Sequence, residues 1–257
     1  TQLYVEMSFI DERDVMDLME AMIRALFAKV LGVQLPEPFP RLSYADAMQK
    51  YGSDRPDLRN PLELIEVGDV MTGVEFKVFA GPANNPNGRV AALRAPGGGR
   101  LTRKQIDDYT TFVAIYGAKG LAYIKVNEMA RGRDGLQSPI LKFLPDEVVG
   151  AILDRTAAAD GDLIFFGADD RDVVNQALGA LRDKVAVDLD LMEDGWRPVW
   201  VIDFPMFDWS HEGKRWEALH HPFTAPTGDN ACLVADVAGA LSRAYDPFYT
   251  TSEDGLG

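Results

Sequence analysis

Residues 2–9 alternate. Leu3, Val5, Met7 and Phe9 are apolar, and Gln2, Tyr4, Glu6 and Ser8 lie between them. A period of two predicts a half-buried strand with one polar face. Residues 11–31 switch to helical spacing, with Val15, Met19, Met22, Leu26 and Val30 in one stripe that Met16, Ile23 and Phe27 widen. Asp11, Glu12 and Asp14 suit the positive end of that helix, Lys29 its last turn and Gly32 its stop. Residues 33–42 form a Pro-rich connector, and Ser43 is placed to cap a short helix that Gly52 ends.

The segment 51–61, YGSDRPDLRNP, is turn chemistry with two prolines, so a domain boundary is expected near 58–62. Beyond it, Val74, Phe76 and Val78 alternate with Glu75, Lys77 and Phe79 and predict a strand. GPANNPNG (81–88) is a turn cluster, RVAALRA (89–95) a strand and APGGG (95–99) a loop. Thr102 caps a predicted helix carrying Ile106, Tyr109, Val113 and Tyr116, with Gly117 past its end. LAYIKVNE (121–128) reads as a strand, and Pro145 opens a helix that runs to about 157. The continuous apolar run DLIFFGA (162–168) predicts a buried strand. Asp169 or Asp170 then caps a helix carrying Val173, Ala177, Leu181 and Val185. PVWVIDFPMFDW (198–209) is strand-like but broken at Pro205.

Strands and helices alternate without a strict βαβ rhythm, and the turns between neighbouring strands are short. That favours an antiparallel α+β fold over a doubly wound sheet. The middle of the chain, roughly 60–190, reads as self-sufficient. The flanks, 1–58 and 192–257, read as halves of another domain.

Composition narrows the function classes. The 257 residues carry 40 acidic and 26 basic side chains, a net charge of -14, which opposes a nucleic-acid face dominated by Lys and Arg. One Cys excludes an internal disulfide framework. There is no run of about 18 apolar residues and no signal-type N-terminus, so a cytoplasmic chain with no membrane span is expected. The chain opens on Thr, which fits a piece of something longer.

Local motifs carry little chemistry by themselves. Gly97-Gly98-Gly99 lacks a following Lys-Ser/Thr and reads as turn glycine, not a phosphate loop. His220-His221-Pro222 is the most unusual feature. On a strand, neighbouring side chains face opposite ways, so at most one His would reach a given site. His211, His220, His221 and Cys232 match no standard metal spacing. The polar face of Gln2, Tyr4, Glu6 and Ser8 reads as a ligand slot or as a solvated sheet face. The acidic run Asp188–Asp190 reads as solvated surface.

Longer segments add more. TQLYVEMSF, YGSDRPDLRNP, VFAGPANNPNGRVAALRAPGG, LTRKQIDDY, YGAKGLAYIKVNE, SPILKFL, ILDRTAAADGDLIFFGAD, ALGALR, WVIDFPMF, HHPFTAP and SRAYD occur in this order along most of the chain. The chain thereby resembles bacterial-type aspartyl-tRNA synthetase. The resemblance implies a class II catalytic domain, antiparallel sheet and helices, present in two parts: residues 1–58, from the end of motif 2 onward, and 192–257. An α+β insertion domain over 59–191, shared with the B subunit of glutamyl-tRNA amidotransferase, would interrupt it. That subunit has neither the motif 2 strand nor the HHPF segment.

The implied reaction joins aspartate to ATP as aspartyl-adenylate, then transfers the aspartyl group to its tRNA. ATP, Mg²⁺, aspartate and tRNA-Asp are the implied cofactors and partners, and the family is homodimeric. Gln2, Tyr4, Glu6, His220 and His221 match positions near the substrate, and Asp246 of SRAYD matches an acidic residue that helps hold ATP-bound Mg²⁺. No catalytic residue is implied within this segment.

The departures are specific. Tyr4 stands where the family has an Asp for the substrate ammonium, and a tyrosine hydroxyl is neutral at neutral pH. The arginine that grips the α-phosphate, motif 1, the anticodon-binding domain and motif 3 are not in this sequence. After Asp246 the chain reads PFYTTSEDGLG, unlike the family, and Pro247 opposes a helix there. The expectation is therefore an aspartate–tRNA ligase fragment, inactive alone. The competing expectations are a non-catalytic insertion module that binds tRNA or a protein, and a synthetase relative with a changed amino-acid substrate.

Overall fold

Asp11 starts the first helix. Its carboxylate accepts from the N–H groups of Arg13 (2.8 Å) and Asp14 (3.3 Å), and Asp14 accepts from the Asp11 N–H at 3.0 Å. This reciprocal cap satisfies donors that a helix end leaves open. It opens α1 (Glu12–Leu26), which continues through a wider π-turn, Phe27–Leu31, to Gly32 at φ +68°. The inward face is rotated from the expected stripe: Met16, Met19, Ile23 and Phe27 pack with Leu35, Phe39 and Trp200, while Met22, Leu26 and Val30 are exposed. Glu20 is the polar member of that face. Its buried carboxylate accepts from the Phe39 N–H at 2.9 Å and from the Trp200 Nε1–H at 3.2 Å.

In this computed structural model, residues 4–210, 213–228 and 236–248 are described. They divide into two compact units, Asp46–Asp194 and the paired flanks Thr1–Ala45 with Gly195–Gly257. None of the described helices is long and apolar enough to cross a membrane.

The expected strand over 2–9 is not formed in its described part. Residues 4–10 are irregular and exposed, and Phe9 takes a left-handed φ of +59°, which breaks an extended run. No described strand lies opposite to receive its hydrogen bonds. Alternation alone does not make a strand where the backbone has no partner.

After β1 (Arg41–Ser43), α2 (Tyr44–Tyr51) leads into the middle unit. There follow β2 (Leu64–Glu66), α3 (Gly68–Met71), α4 (Lys77–Ala83), β3 (Gly88–Ala95), α5 (Arg103–Ala114), β4 (Ala122–Val126), β5 (Leu136–Gln137), α6 (Asp146–Arg155), β6 (Leu163–Asp170) and α7 (Arg171–Asp188). The five strands form one antiparallel sheet in the order β2-β3-β6-β4-β5. The apolar run in β6 is central because both its faces are covered. Leu163 and Phe165 pack with α5 and α7, and Ile164 and Phe166 pack with α4 and α6. The sequence-predicted cap of α5 is present, with the Thr102 hydroxyl accepting from the Gln105 N–H at 3.3 Å.

Residues 74–79 are not the strand that their alternation predicts. The Phe76 carbonyl accepts from the N–H groups of Phe79 (2.9 Å) and Ala80 (3.0 Å), which starts α4. Phe76, Phe79, Ala80 and Ala83 recur at helical spacing and pack on the same core. A three-residue alternation was the weaker of two patterns present.

Two buried arginines hold the segment 48–62 to this sheet and helix. Arg89 donates to Glu66 (Nε, 3.1 Å), to the Met48 carbonyl (3.2 Å), to the Gln49 carbonyl and to Asn175. Arg182 donates to the carbonyls of Leu62 (2.5 Å), Asp57 (2.9 Å) and Asn60 (2.6 Å), and lies 4.7 Å over the Tyr51 ring. Burial pushes both guanidinium pKa values down. The turn-rich signature 51–61 thus packs within the middle unit. At Gly52, φ is +68° and a Cβ would lie 2.3 Å from the Asn175 carbonyl oxygen, so a side chain has no room.

The flank unit completes its sheet with β7 (Val199–Ile202) and, after the hairpin β8 (Phe207–Ser210) and β9 (Arg215–Ala218), with β10 (Tyr245–Phe248). The order is β1-β7-β10, with β1 parallel and β10 antiparallel to β7. Pro247 stands in β10, an edge strand, where a missing N–H is tolerated.

Candidate functional site

Residues that the resemblance implies fall on the flank unit. Gln2 lies outside the described residues, as do His211 and Cys232. Tyr4 and Glu6 are exposed on irregular chain. His220 and His221 sit in a bend after β9, not on a strand, so the opposite-face argument does not apply. The His220 ring meets the Phe204 ring edge-on at 5.8 Å, and its Nε2 is buried with no hydrogen-bond partner. His221 is exposed; its Nδ1 accepts from the Phe223 N–H at 3.2 Å and its ring lies 4.8 Å from the Phe223 ring. Asp246 stands exposed on β10, opposite Val201. Among the described residues, no hydrogen bond, ion pair or ring contact joins Tyr4 or Glu6 to the histidines or to Asp246.

What the unit does assemble is a cavity of about 250 Å³ beside the Tyr245 end of β10. Arg13 and Glu12 reach it from α1, Arg41 from β1, Asp203 from the end of β7, and Arg243 and Tyr245 from the turn into β10. Asp203 takes a left-handed φ of +57°, and Ser242 is fully buried, its Oγ donating to the Phe204 carbonyl at 3.1 Å. Arg41 pairs with Asp17 at 2.9 Å and Arg243 with Glu12 at 3.2 Å. Three guanidinium groups thus meet three carboxylates, Glu12 and Asp203 of the lining and Asp17 beside it, so the cavity is close to charge-balanced. Burial, and Glu12 nearby, push the Tyr245 hydroxyl pKa up, which keeps it a donor. Sequence reasoning missed Arg13, Arg41, Asp203 and Arg243. Arg243 stood within SRAYD, but nothing in the sequence says that four separate segments converge.

Mg²⁺ fits this unit only in part. No group of three or more His, Cys, Asp or Glu among the described residues is arranged to hold a metal ion. Mg²⁺ commonly takes one or two carboxylates and completes its shell with phosphate oxygens and water. Asp246, exposed, can supply one such carboxylate to an ion that arrives with a polyphosphate.

The middle unit has a cavity of its own, about 540 Å³ and mainly apolar, between α4 and α7 at the β4 side of β6. Phe79, Phe166, Val173 and Ala177 are among its walls, and the Lys119–Asp169 ion pair (2.9 Å) stands at its mouth.

The middle unit, an antiparallel five-stranded sheet with helices on both faces, lies in the sequence between the two flank segments. Residues 79–178 match the family model of the GAD domain. That domain occurs in class II aminoacyl-tRNA synthetases and in the B subunit of glutamyl-tRNA amidotransferase, so the chain carries a synthetase-related module.

Proposed function

We propose that the chain is part of an aspartate–tRNA ligase of class II, and that this polypeptide by itself does not form aspartyl-adenylate. One observation carries the reading: the GAD match over 79–178 is bracketed by TQLYVEMSF and YGSDRPDLRNP before it and by WVIDFPMF, HHPFTAP and SRAYD after it, in synthetase order. The amidotransferase subunit is the other carrier of this domain, and the HHPF segment separates the two.

The chemistry asks for cations along a polyphosphate and for opposite charges fixed around an amino acid. ATP, Mg²⁺ and aspartate are the ligands on this reading, with tRNA-Asp as partner. Asp246 would offer its carboxylate to the ion, and His220 or His221 a hydrogen bond to the aspartate side chain. Tyr4 brings no negative charge to the ammonium. Tyr4 and Glu6 stand free of the histidines, so the preorganisation on which transition-state stabilisation rests is missing. Losing one preorganised contact costs about 10²–10³ in rate.

ATP–pyrophosphate exchange with aspartate is the test. The expected result is no exchange above background for this polypeptide, and aspartate-dependent exchange would overturn the claim of inactivity. Calorimetric titration with a sulfamoyl analogue of aspartyl-adenylate tests the assignment itself. Binding of the aspartyl analogue in preference to the lysyl and asparaginyl ones supports it, and preference for another analogue refutes it.

A second reading has its own observation: the middle unit carries an apolar core on each face of its sheet. On that reading it is a binding module without catalysis. Salt-sensitive micromolar binding of tRNA, a steep function of ionic strength, would favour it.

A further inference from the structure

We propose that the middle unit takes up a short extended peptide segment from a partner protein, which pairs with the open edge of β6 at Ala168. The proposal rests on hydrogen-bond parity along that strand. The Arg171 N–H donates to the Asn87 carbonyl at 2.9 Å, so odd-numbered positions of β6 face β3. The Val126 N–H donates to the Asp162 carbonyl at 2.9 Å, so even-numbered positions face β4. The β4 ladder ends at Ala122 opposite Phe166. Asp170 has its N–H on the Asp169 carboxylate at 3.0 Å. Ala168 is the even-numbered position with no strand across from it; by this parity its N–H and C=O face the β4 side, and the residue lines the 540 Å³ cavity.

The chain itself turns away at this point. Gly117 takes a φ of +88°, and Ala118–Leu121 form the far wall of the cavity instead of continuing β4. What is left is the space of a missing strand end, open between two helical layers. Phe79 and Phe166 bound it on the α4 side, and Val173 and Ala177 on the α7 side. An added strand rises about 3.4 Å per residue, so β6 positions 167–170 offer room for about three or four residues. Successive side chains of that strand would enter opposite apolar layers. Ala168 is half-buried, and a backbone donor and acceptor there are satisfied at once by a strand, whereas an apolar small molecule satisfies neither.

Charge at the mouth defines the segment further. Lys119 is held by Asp169, with Nζ 2.9 Å from Oδ2 and 3.1 Å from Oδ1. Lys77 lines the cavity, and its side chain makes no hydrogen bond or ion pair among the described residues. One uncompensated cation suits one carboxylate. The occupant is therefore an apolar, β-prone stretch followed by a single acidic residue or a chain end. This inference uses the middle unit alone and does not depend on the aspartate reading.

The test uses the full chain, ¹⁵N-labelled, titrated with the peptide acetyl-Ala-Val-Val-Ala-Glu. We expect saturable binding, with the Ala168 amide shifting most and its hydrogen exchange slowed. The same peptide N-methylated at every residue should bind about tenfold more weakly or worse, because its side chains remain while its backbone donors are gone. Ala168→Pro should weaken the peptide similarly, since the N–H it removes faces the cleft and leaves the β3 ladder intact. Lys77→Glu, on the surface, should weaken the acidic peptide several-fold and leave a Glu-to-Gln peptide unchanged. The proposal fails if no peptide binding saturates or if the N-methylated peptide binds as well. It also fails if 4-phenylbutyrate, an apolar acid without backbone groups, binds as tightly as the peptide. Self-association of the chain that Ala168→Pro abolishes would overturn it too, by making a second copy the occupant.

Discussion

The middle unit and the flank unit bury their side chains on different scales. Five strands with helices on both faces give the middle unit two layers of fully buried residues, among them Phe165 and Leu181 on one side and Ile124 and Ile152 on the other. Among the described residues the flank sheet has three strands of three or four residues, and four residues, Met16, Leu35, Phe39 and Trp200, form its buried cluster. Burial of apolar area is the main stabilising term, so the middle unit should carry most of the chain's stability. The flank unit leans more on single polar contacts such as those of Glu20.

The contrast can be broken from either side, because all four Trp lie in the flank unit and report on it alone. The largest effect is expected at Arg182. Arg182→Met strands the carbonyls of Asp57, Asn60 and Leu62 and should cost about 3–5 kcal/mol, read as a lower urea midpoint by circular dichroism. The Trp emission transition should stay where it was, and a shift in both signals would mean that the units unfold as one. Glu20→Ala is the converse test. It leaves the Phe39 and Trp200 N–H groups without an acceptor and should lower the Trp transition by about 1–3 kcal/mol, with little change in the dichroism midpoint.

The smallest expected effect is a slope in alkali. Burial, and the Asp188 carboxylate that accepts a hydrogen bond from it at 2.9 Å, push the Tyr109 hydroxyl well above its ordinary value of 10. The folded state therefore holds that proton where the unfolded state releases it. The stabilisation is complete below about pH 10 and falls as the pH rises beyond it. Tyr109→Phe should flatten the fall in stability above that pH, and an unchanged slope would assign the alkaline loss to other groups.

Local features were legible in the sequence. Thr102 caps a helix, Asp11 stands at the acidic start of another, and Gly32 and Gly117 end them, because each decision is made within one turn of chain. The run 162–168 announced a strand covered on both faces. The α+β class followed from these elements. Long-range features were not legible. Residues 4–10 alternate, yet no neighbour turns alternation into a strand. Val74 to Phe79 alternate too, but the helical spacing of Phe76, Phe79 and Ala83 prevails once a core exists to receive it. Arg89 and Arg182 look like surface residues until the carbonyls they serve are folded around them. The site followed the same rule. The resemblance named His220, His221 and Asp246, whereas the cavity that formed is lined by Arg13, Arg41 and Arg243, from segments far apart in the chain.

The pairing of β1 with β7 has a consequence in time. Arg41 lies beside Trp200, and the whole middle unit is made between them. At roughly 5–20 residues per second, a ribosome takes roughly 8–30 s to pass those 150 or so residues. The middle unit emerges and folds within that interval from its own neighbours. The strand Arg41–Ser43 must wait throughout for β7, and the first flank segment lacks that partner strand until residues 199–202 appear.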